Sequence, residues 1–231
     1  RIITRANAKI NLTLDILGRR SDGYHELETI MHEIPLFDRI EINISDGDKF
    51  TGGTNLSFIK TEKNIAIIAA KKFMERIGVT RAIDIRIEKN IPVGAGLGGG
   101  SADAAAVLRE LNLYFKKPLN REELISLAAE IGADVPFCLY GGCALCGGIG
   151  EKLQQIAELP PCYIVLVKPP VSISTGLLFS MIDKEKIKGH PDTEGVKRAL
   201  KEGLVREVSL RLYNVMEETA AKVCPDIRKI R

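Results

Sequence analysis

The segment Pro92-Val93-Gly94-Ala95-Gly96-Leu97-Gly98-Gly99-Gly100-Ser101-Ala102-Asp103-Ala104-Ala105-Ala106 decides how the rest of this chain is read. Five glycines stand in the seven positions 94–100, and an alanine-rich, helix-forming stretch follows at once. Without Cβ atoms a ligand can approach the backbone closely, and a helix entered from such a turn presents unpaired N–H groups and the positive end of its dipole. The combination predicts a cradle for phosphate, with Ser101 opening the helix. A merely flexible surface loop would carry interspersed polar residues and would not run straight into a helix. Two better-known loops fail the test. A Walker loop needs Lys and then Ser or Thr after its last glycine, and here Gly100 is followed by Ser101. Gly94-x-Gly96-x-x-Gly99 satisfies the dinucleotide spacing, yet about 20 residues on, where an acid should close a second strand, stand Phe115-Lys116-Lys117.

Upstream of the loop the chain alternates with the period of strands. Ala6, Ala8, Ile10, Leu12 and Leu14 interleave with Asn7, Lys9, Asn11, Thr13 and Asp15, which predicts a half-buried strand whose polar face carries Lys9 and Asn11 together. Ile40-Glu41-Ile42-Asn43-Ile44 and Ile83-Asp84-Ile85-Arg86-Ile87 repeat the pattern, and one-sided strands suit an antiparallel or mixed sheet better than a buried parallel one. Asn64 can cap a helix running to Gly78, and Asn120 another over Arg121 to Ile131 ending at Gly132. Tyr163-Ile164-Val165-Leu166-Val167 reads as a further strand. From Thr175 onward the pattern is helical, broken at Gly189-His190-Pro191 and Cys224-Pro225. A two-lobed α+β protein with mixed or antiparallel sheets follows, divided near Leu159-Pro160-Pro161 into 1–158 and 159–231.

Composition narrows the function. With 231 residues, 45% of them hydrophobic, the chain can bury a core without staples. Its 33 Lys+Arg against 30 Asp+Glu leave a net charge of +3, so no large single-sign field exists to attract nucleic acid. Its apolar runs fall far short of the roughly 20 residues that span a bilayer, and Arg1-Ile2-Ile3-Thr4-Arg5 lacks the apolar stretch of a signal peptide. The expectation is a soluble, cytoplasmic protein with no membrane partner. Of five cysteines, Cys138, Cys143, Cys146 and Cys162 fall in one short segment. Cys138-x4-Cys143-x2-Cys146 matches the spacing of a plant-type iron–sulfur loop, with Cys162 or Cys224 as a fourth ligand. The apolar neighbours Val135, Phe137, Leu139, Ala144 and Leu145 point instead to buried, reduced thiols.

Three segments carry a resemblance. Ala8-Lys9-Ile10-Asn11-Leu12 with Gly23-Tyr24-His25-Glu26-Leu27, the loop Pro92 to Ala102, and Gly132-Ala133-Asp134-Val135-Pro136-Phe137 resemble, in order and over nearly the whole chain, the 4-diphosphocytidyl-2-C-methyl-D-erythritol kinase family. That family belongs to the superfamily of galactokinase, homoserine kinase, mevalonate kinase and phosphomevalonate kinase. The resemblance implies a two-lobed small-molecule kinase that moves the ATP γ-phosphoryl group to the tertiary 2-hydroxyl of cytidine diphosphate methylerythritol, on the non-mevalonate route to isoprenoid precursors. Such an alcohol is a poor nucleophile, so a carboxylate must take its proton and a cation must keep that carboxylate ionised. By the resemblance Asp134 and Lys9 fill these roles; on residue pattern alone Asp134 also reads as a helix cap and Lys9 as a solvated strand residue.

The resemblance further places the ATP phosphates along Pro92, Val93, Gly94, Ala95, Gly96, Leu97, Gly98, Gly99, Gly100, Ser101 and Ala102, and the adenine beside Asn64. Mg2+ is expected with the ATP, resting on phosphate oxygens and water, since no cluster of carboxylates at ligand spacing is visible. Tyr24, His25 and Phe179 are expected at the cytidine, with the base between Tyr24 and Phe179 and His25 reading its edge, and Asn11 and Thr175 near the erythritol hydroxyls. Superfamily members carry a further C-terminal glycine-rich motif, absent before Asp226-Ile227-Arg228-Lys229-Ile230-Arg231, and Arg1 is an unusual first residue. The expectation is therefore a C-terminal domain incomplete at its end, with apolar surface left uncovered.

Overall fold

The computed structural model describes residues 1–171, 173–182, 187 and 189–230. They group into two units, neither a single stretch of chain. The first comprises Arg1–Lys9, Glu33–Pro92 and Gly98–Gly141; the second comprises Ile10–His32, Val93–Leu97 and the chain from Gly142 on. Two long neighbouring strands, β1 (Ile2–Arg19) and β2 (His25–Ser45), contribute to both.

In the first unit β2 is followed by β3 (Phe50–Thr54), α1 (Ile65–Ile77) and β4 (Ala82–Glu88). The isoleucine alternation does what its period predicts. β2 and β4 pair antiparallel with Ile40 opposite Ile87, Ile42 opposite Ile85 and Ile44 opposite Ile83, while β3 runs parallel to β4. Ile40, Ile42, Ile83, Ile85 and Ile87 are buried. α1 begins where the Asn64 side chain accepts from the Ala66 N–H at 3.0 Å, and it stops at Gly78, whose φ of 65° is left-handed. It buries Ala66, Ala69, Ala70 and Phe73 and packs on α2 (Gly99–Tyr114), which buries Ala102, Ala104, Ala105, Ala106, Val107, Leu108 and Leu111. α3 (Arg121–Ala129) opens on a reciprocal capping box between Asn120 and Glu123 and ends two residues short of Ile131; α4 is the short Val135–Tyr140.

The second unit adds β5 (Cys143–Gly148) and β6 (Lys152–Gln155), then α5 (Thr175–Ile182), α6 (Thr193–Lys201), α7 (Val205–Leu210), β7 (Tyr213–Asn214), α8 (Glu217–Val223) and α9 (Asp226–Ile230). β5 pairs antiparallel with β2 and with β6, and β7 lies parallel to β1 at Thr13 and Leu14. Leu12 and Ile30 close over Val196, Ala199, Leu200 and Val208; a second cluster gathers Ile16, Ile182 and Met216 with Leu178 and Phe179.

Two expectations are corrected. Residues 163–167 form no strand: among the described residues no ladder pairs with them, and Tyr163 and Val165 are largely exposed at 103% and 85%. A run of β-formers becomes a strand only when a neighbour takes its N–H and C=O groups. The polar face of β1 is also not solvated, because Lys9, Thr13 and Asp15 are buried, each beside a polar or charged partner. Among the described residues no helix is long and apolar enough to cross a membrane.

Candidate active site

Lys9 lies in the part of β1 that belongs to the first unit, and its ammonium reaches Asp134 Oδ2 at 3.3 Å. The two side chains differ in exposure, 7% for Lys9 and 34% for Asp134. A buried ammonium is costly to desolvate unless a carboxylate answers it, so the pair fixes where the lysine ends. Asp134 occupies the N-cap position of α4, but its side chain makes no capping hydrogen bond; helix entry is eased instead by the proline that follows Val135. The cap reading therefore gives the residue its place on the backbone and leaves its carboxylate directed at Lys9. One wall of this pair is glycine. Gly98 adopts φ 68°, and a Cβ built there would stand 2.9 Å from Lys9 Cγ.

Gly98 is also the N-cap of α2, and its carbonyl accepts the Ala102 N–H at 2.8 Å. The helix thus starts at Gly99, two residues before Ser101, because the left-handed glycine turns the chain earlier than a serine cap would. Gly94 and Gly96 share positive φ angles of 68° and 72°. Three left-handed glycines alternate with ordinary residues, a backbone that L side chains resist. Pro92, Val93, Ala95, Leu97, Gly99, Gly100, Ser101 and Ala102 complete the segment. Asn64 is nearly buried, its carbonyl committed to the α1 cap.

The second unit holds the other expected residues. The Asn11 amide donates to Thr29 Oγ1 at 2.7 Å, and that hydroxyl donates to the Thr13 carbonyl at 2.6 Å, which fixes the asparagine on β1. His25 and Phe179 stack with ring centroids 4.9 Å apart and planes inclined by 16°. Tyr24 is 61% exposed, in a turn closed by the Arg20 N–H to Tyr24 carbonyl bond and by Asp22 accepting from the Tyr24 N–H. Thr175 opens α5, and its side chain lies outside the described residues.

The iron–sulfur spacing has no geometric counterpart. Cys143 and Cys146 stand three apart on β5 and so point to opposite faces of the strand. Burial raises both the Cys138 and the Cys143 thiol, the latter to about 12, and among the described residues no disulfide joins any of the five cysteines. Among the described residues no group of His, Cys, Asp or Glu is arranged to hold a metal ion.

Sequence reading missed Asp38, Lys89 and Asp103, which meet in the first unit. The signal was available. Lys89 falls on the inward parity of Ile83, Ile85 and Ile87, Asp38 on that of Ile40 and Ile42, and Asp103 stands alone among alanines.

A model of the GHMP kinases N terminal domain matches residues 64–142. A 4-diphosphocytidyl-2-C-methyl-D-erythritol kinase of Caldicellulosiruptor saccharolyticus is 47% identical over 231 residues, all of this chain and 80% of that protein. The protein of that name from Clostridium tetani is 43% identical over 98% of this chain and 81% of its own length. A crystal structure of 4-(cytidine 5'-diphospho)-2C-methyl-D-erythritol kinase superposes with a TM-score of 0.78 at 34% identity, covering 100% of this chain and 81% of that one. Homoserine kinase from Cytophaga hutchinsonii shares the fold, with a TM-score of 0.65 at 18% identity over 100% of this chain and 78% of its own. Whole-chain identity at this level shows that the chain belongs to the 4-diphosphocytidyl-2-C-methyl-D-erythritol kinase family.

Proposed function

We propose that this chain transfers the γ-phosphoryl group of ATP to the 2-hydroxyl of 4-diphosphocytidyl-2-C-methyl-D-erythritol in the cytoplasm, yielding the 2-phosphate and ADP on the way to isoprenoid precursors. The observation that carries the reading is the Lys9–Asp134 ion pair at 3.3 Å, with the Lys9 stem packed beside Gly98, the N-cap of α2. Asp134 is open enough to meet a hydroxyl, and it accepts the proton as the new P–O bond forms and the bond to ADP breaks. Lys9 holds that carboxylate ionised and offsets charge on the transferring group. The segment 92–102 receives the phosphates through backbone N–H groups, and Asn64 serves the adenine. Magnesium arrives as part of the nucleotide substrate, on phosphate oxygens and water.

Residues 1–158 carry the nucleotide and the chemistry in this reading, and 159–231 complete the substrate side through Thr175 and Phe179. Asn11 and Thr175 hold the erythritol hydroxyls. The cytosine is held between Tyr24 and Phe179, and His25, whose ring stacks on Phe179 at 4.9 Å, must swing off that stack to read the edge of the base. No nucleic acid or membrane takes part. Phosphorus NMR of the chain with MgATP and the cytidine substrate tests the reading: a new phosphomonoester signal should grow in step with ADP, and more slowly with a uridine analogue. ADP formed without that signal would refute it.

A further inference from the structure

A buried charge cluster at the root of α2 takes no part in the chemistry above. Lys89, just beyond β4, donates from Nζ to Asp38 and to Asp103 Oδ2, the latter at 2.7 Å. Asp38, on β2, accepts through its other oxygen from the backbone N–H groups of Asn90 and Ile91, the latter at 2.8 Å. The three side chains are 5%, 0% and 4% exposed. Asp103 Oδ1 is buried and has no hydrogen-bond partner among the described residues.

The charges do not balance as drawn. One cation faces two carboxylates out of contact with water, and two neighbouring buried carboxylates cannot both ionise. Three donors favour the anion on Asp38, whereas among the described residues Asp103 receives a donated hydrogen bond from Lys89 only and lies against the Asp38 carboxyl, so the extra proton belongs to Asp103. The cluster also touches the phosphate segment. A Cβ on Gly99, the first residue of α2, would meet Ile91 at 3.0 Å and Lys89 Nζ at 3.3 Å. Asp38 thus ties down the backbone that enters the glycine run, Asp103 ties down the helix that leaves it one turn past its start, and Lys89 joins the two.

We propose that Asp38, Lys89 and Asp103 are positioning residues for the nucleotide: sharing one cation, one anion and one proton, they brace the start of α2 so that its N–H groups meet the triphosphate with no net charge beneath them. This rests on the ATP reading above. Burial, with the Asp38 anion adding and Lys89 opposing, pushes the Asp103 carboxyl up to about 7. Phe73 of α1 and Phe137 of α4 are buried in helices that pack on α2; Cys138 of α4 interacts with Asp103 as a thiol whose ionisation burial opposes, and the Lys9–Asp134 pair faces the same end of α2 already neutralised. Loss of the Asp103 proton would set an uncompensated negative charge under the phosphates.

Asp103→Asn retains an acceptor for Lys89 and cannot ionise; Asp103→Leu cuts the tie. Calorimetric titration of the chain with MgATP at about pH 6 and about pH 8.5 should show wild type losing roughly fivefold more affinity than the Asn variant between the two. The Leu variant should bind ATP about tenfold more weakly at both, with kcat at saturating ATP within about twofold of wild type. A common pH dependence for wild type and Asn variant, or wild-type affinity in a folded Leu variant, would overturn the brace. If wild type binds no ATP at all, the kinase reading fails instead, and melting temperature decides the brace. Wild type should then fall relative to the Asn variant between about pH 5 and pH 7, and parallel curves would overturn it.

Discussion

Replacing Gly98 by alanine strains, at a single atom, the join between the glycine segment proposed to hold phosphate and the Lys9–Asp134 pair proposed to carry the chemistry. The residue sits at φ 68°, where an L side chain costs about 1–2 kcal/mol. The added methyl would stand 2.9 Å from Lys9 Cγ and 3.2 Å from Cε, well inside the roughly 3.5–4.0 Å at which carbons rest. Lys9 has little room to retreat, because its side chain is 7% exposed and its ammonium is held 3.3 Å from Asp134. Overpacking of this kind typically costs about 1–3 kcal/mol, for a total of roughly 2–5 kcal/mol. Part will appear as lost stability and part as a Lys9–Asp134 pair displaced by up to about 1 Å, enough to cost on the order of 100-fold in turnover. Steady-state ADP release with the cytidine substrate, alongside thermal unfolding by circular dichroism, reads both. A Gly98→Ala protein with wild-type turnover and wild-type melting would refute the contact between glycine and lysine as the reason for glycine there.

Asp103→Asn changes the pH dependence of stability. With the folded pKa lifted to about 7 from an ordinary 3.8, the folded chain keeps a proton between those values that the unfolded chain has released. Wild-type stability should therefore decline from about pH 4 to about pH 7 and level off above, while the Asn variant lacks that slope; urea unfolding across the range checks it. Phe179→Ala should weaken substrate binding by about 1–3 kcal/mol with little change in base preference, whereas His25→Ala should blunt discrimination between cytidine and uridine substrates, both read from kcat/KM ratios. A His25 variant that discriminates as well as wild type would remove it as the reader of the base.

The residues explain why some of this was legible in sequence and some was not. Ile40–Ile44 and Ile83–Ile87 announce an antiparallel pair because burial on one face imposes a period of two, and Asn64, Gly78 and Asn120 mark helix ends through local hydrogen bonds. Both signals are local. Residues 163–167 have the same composition as a strand but no partner to make one, and pairing is not a property of the run itself. Lys9, Asp15 and Thr13 look solvated because alternation reports two faces and not what covers the second. The brace under α2 was visible only as charges on inward positions, and the stacking of His25 on Phe179 joins residues too distant in sequence for any local period to relate.

The Lys9–Asp134 pair is tested most directly by kcat of Asp134→Asn at saturating ATP and cytidine substrate, with MgATP affinity measured by calorimetry on the same protein. The asparagine keeps the size and place of the carboxylate and removes its capacity to take a proton. If Asp134 is the base, kcat falls by at least about 100-fold while ATP affinity stays within about twofold of wild type. Wild-type kcat in that variant would contradict it, and so would a loss confined to ATP binding.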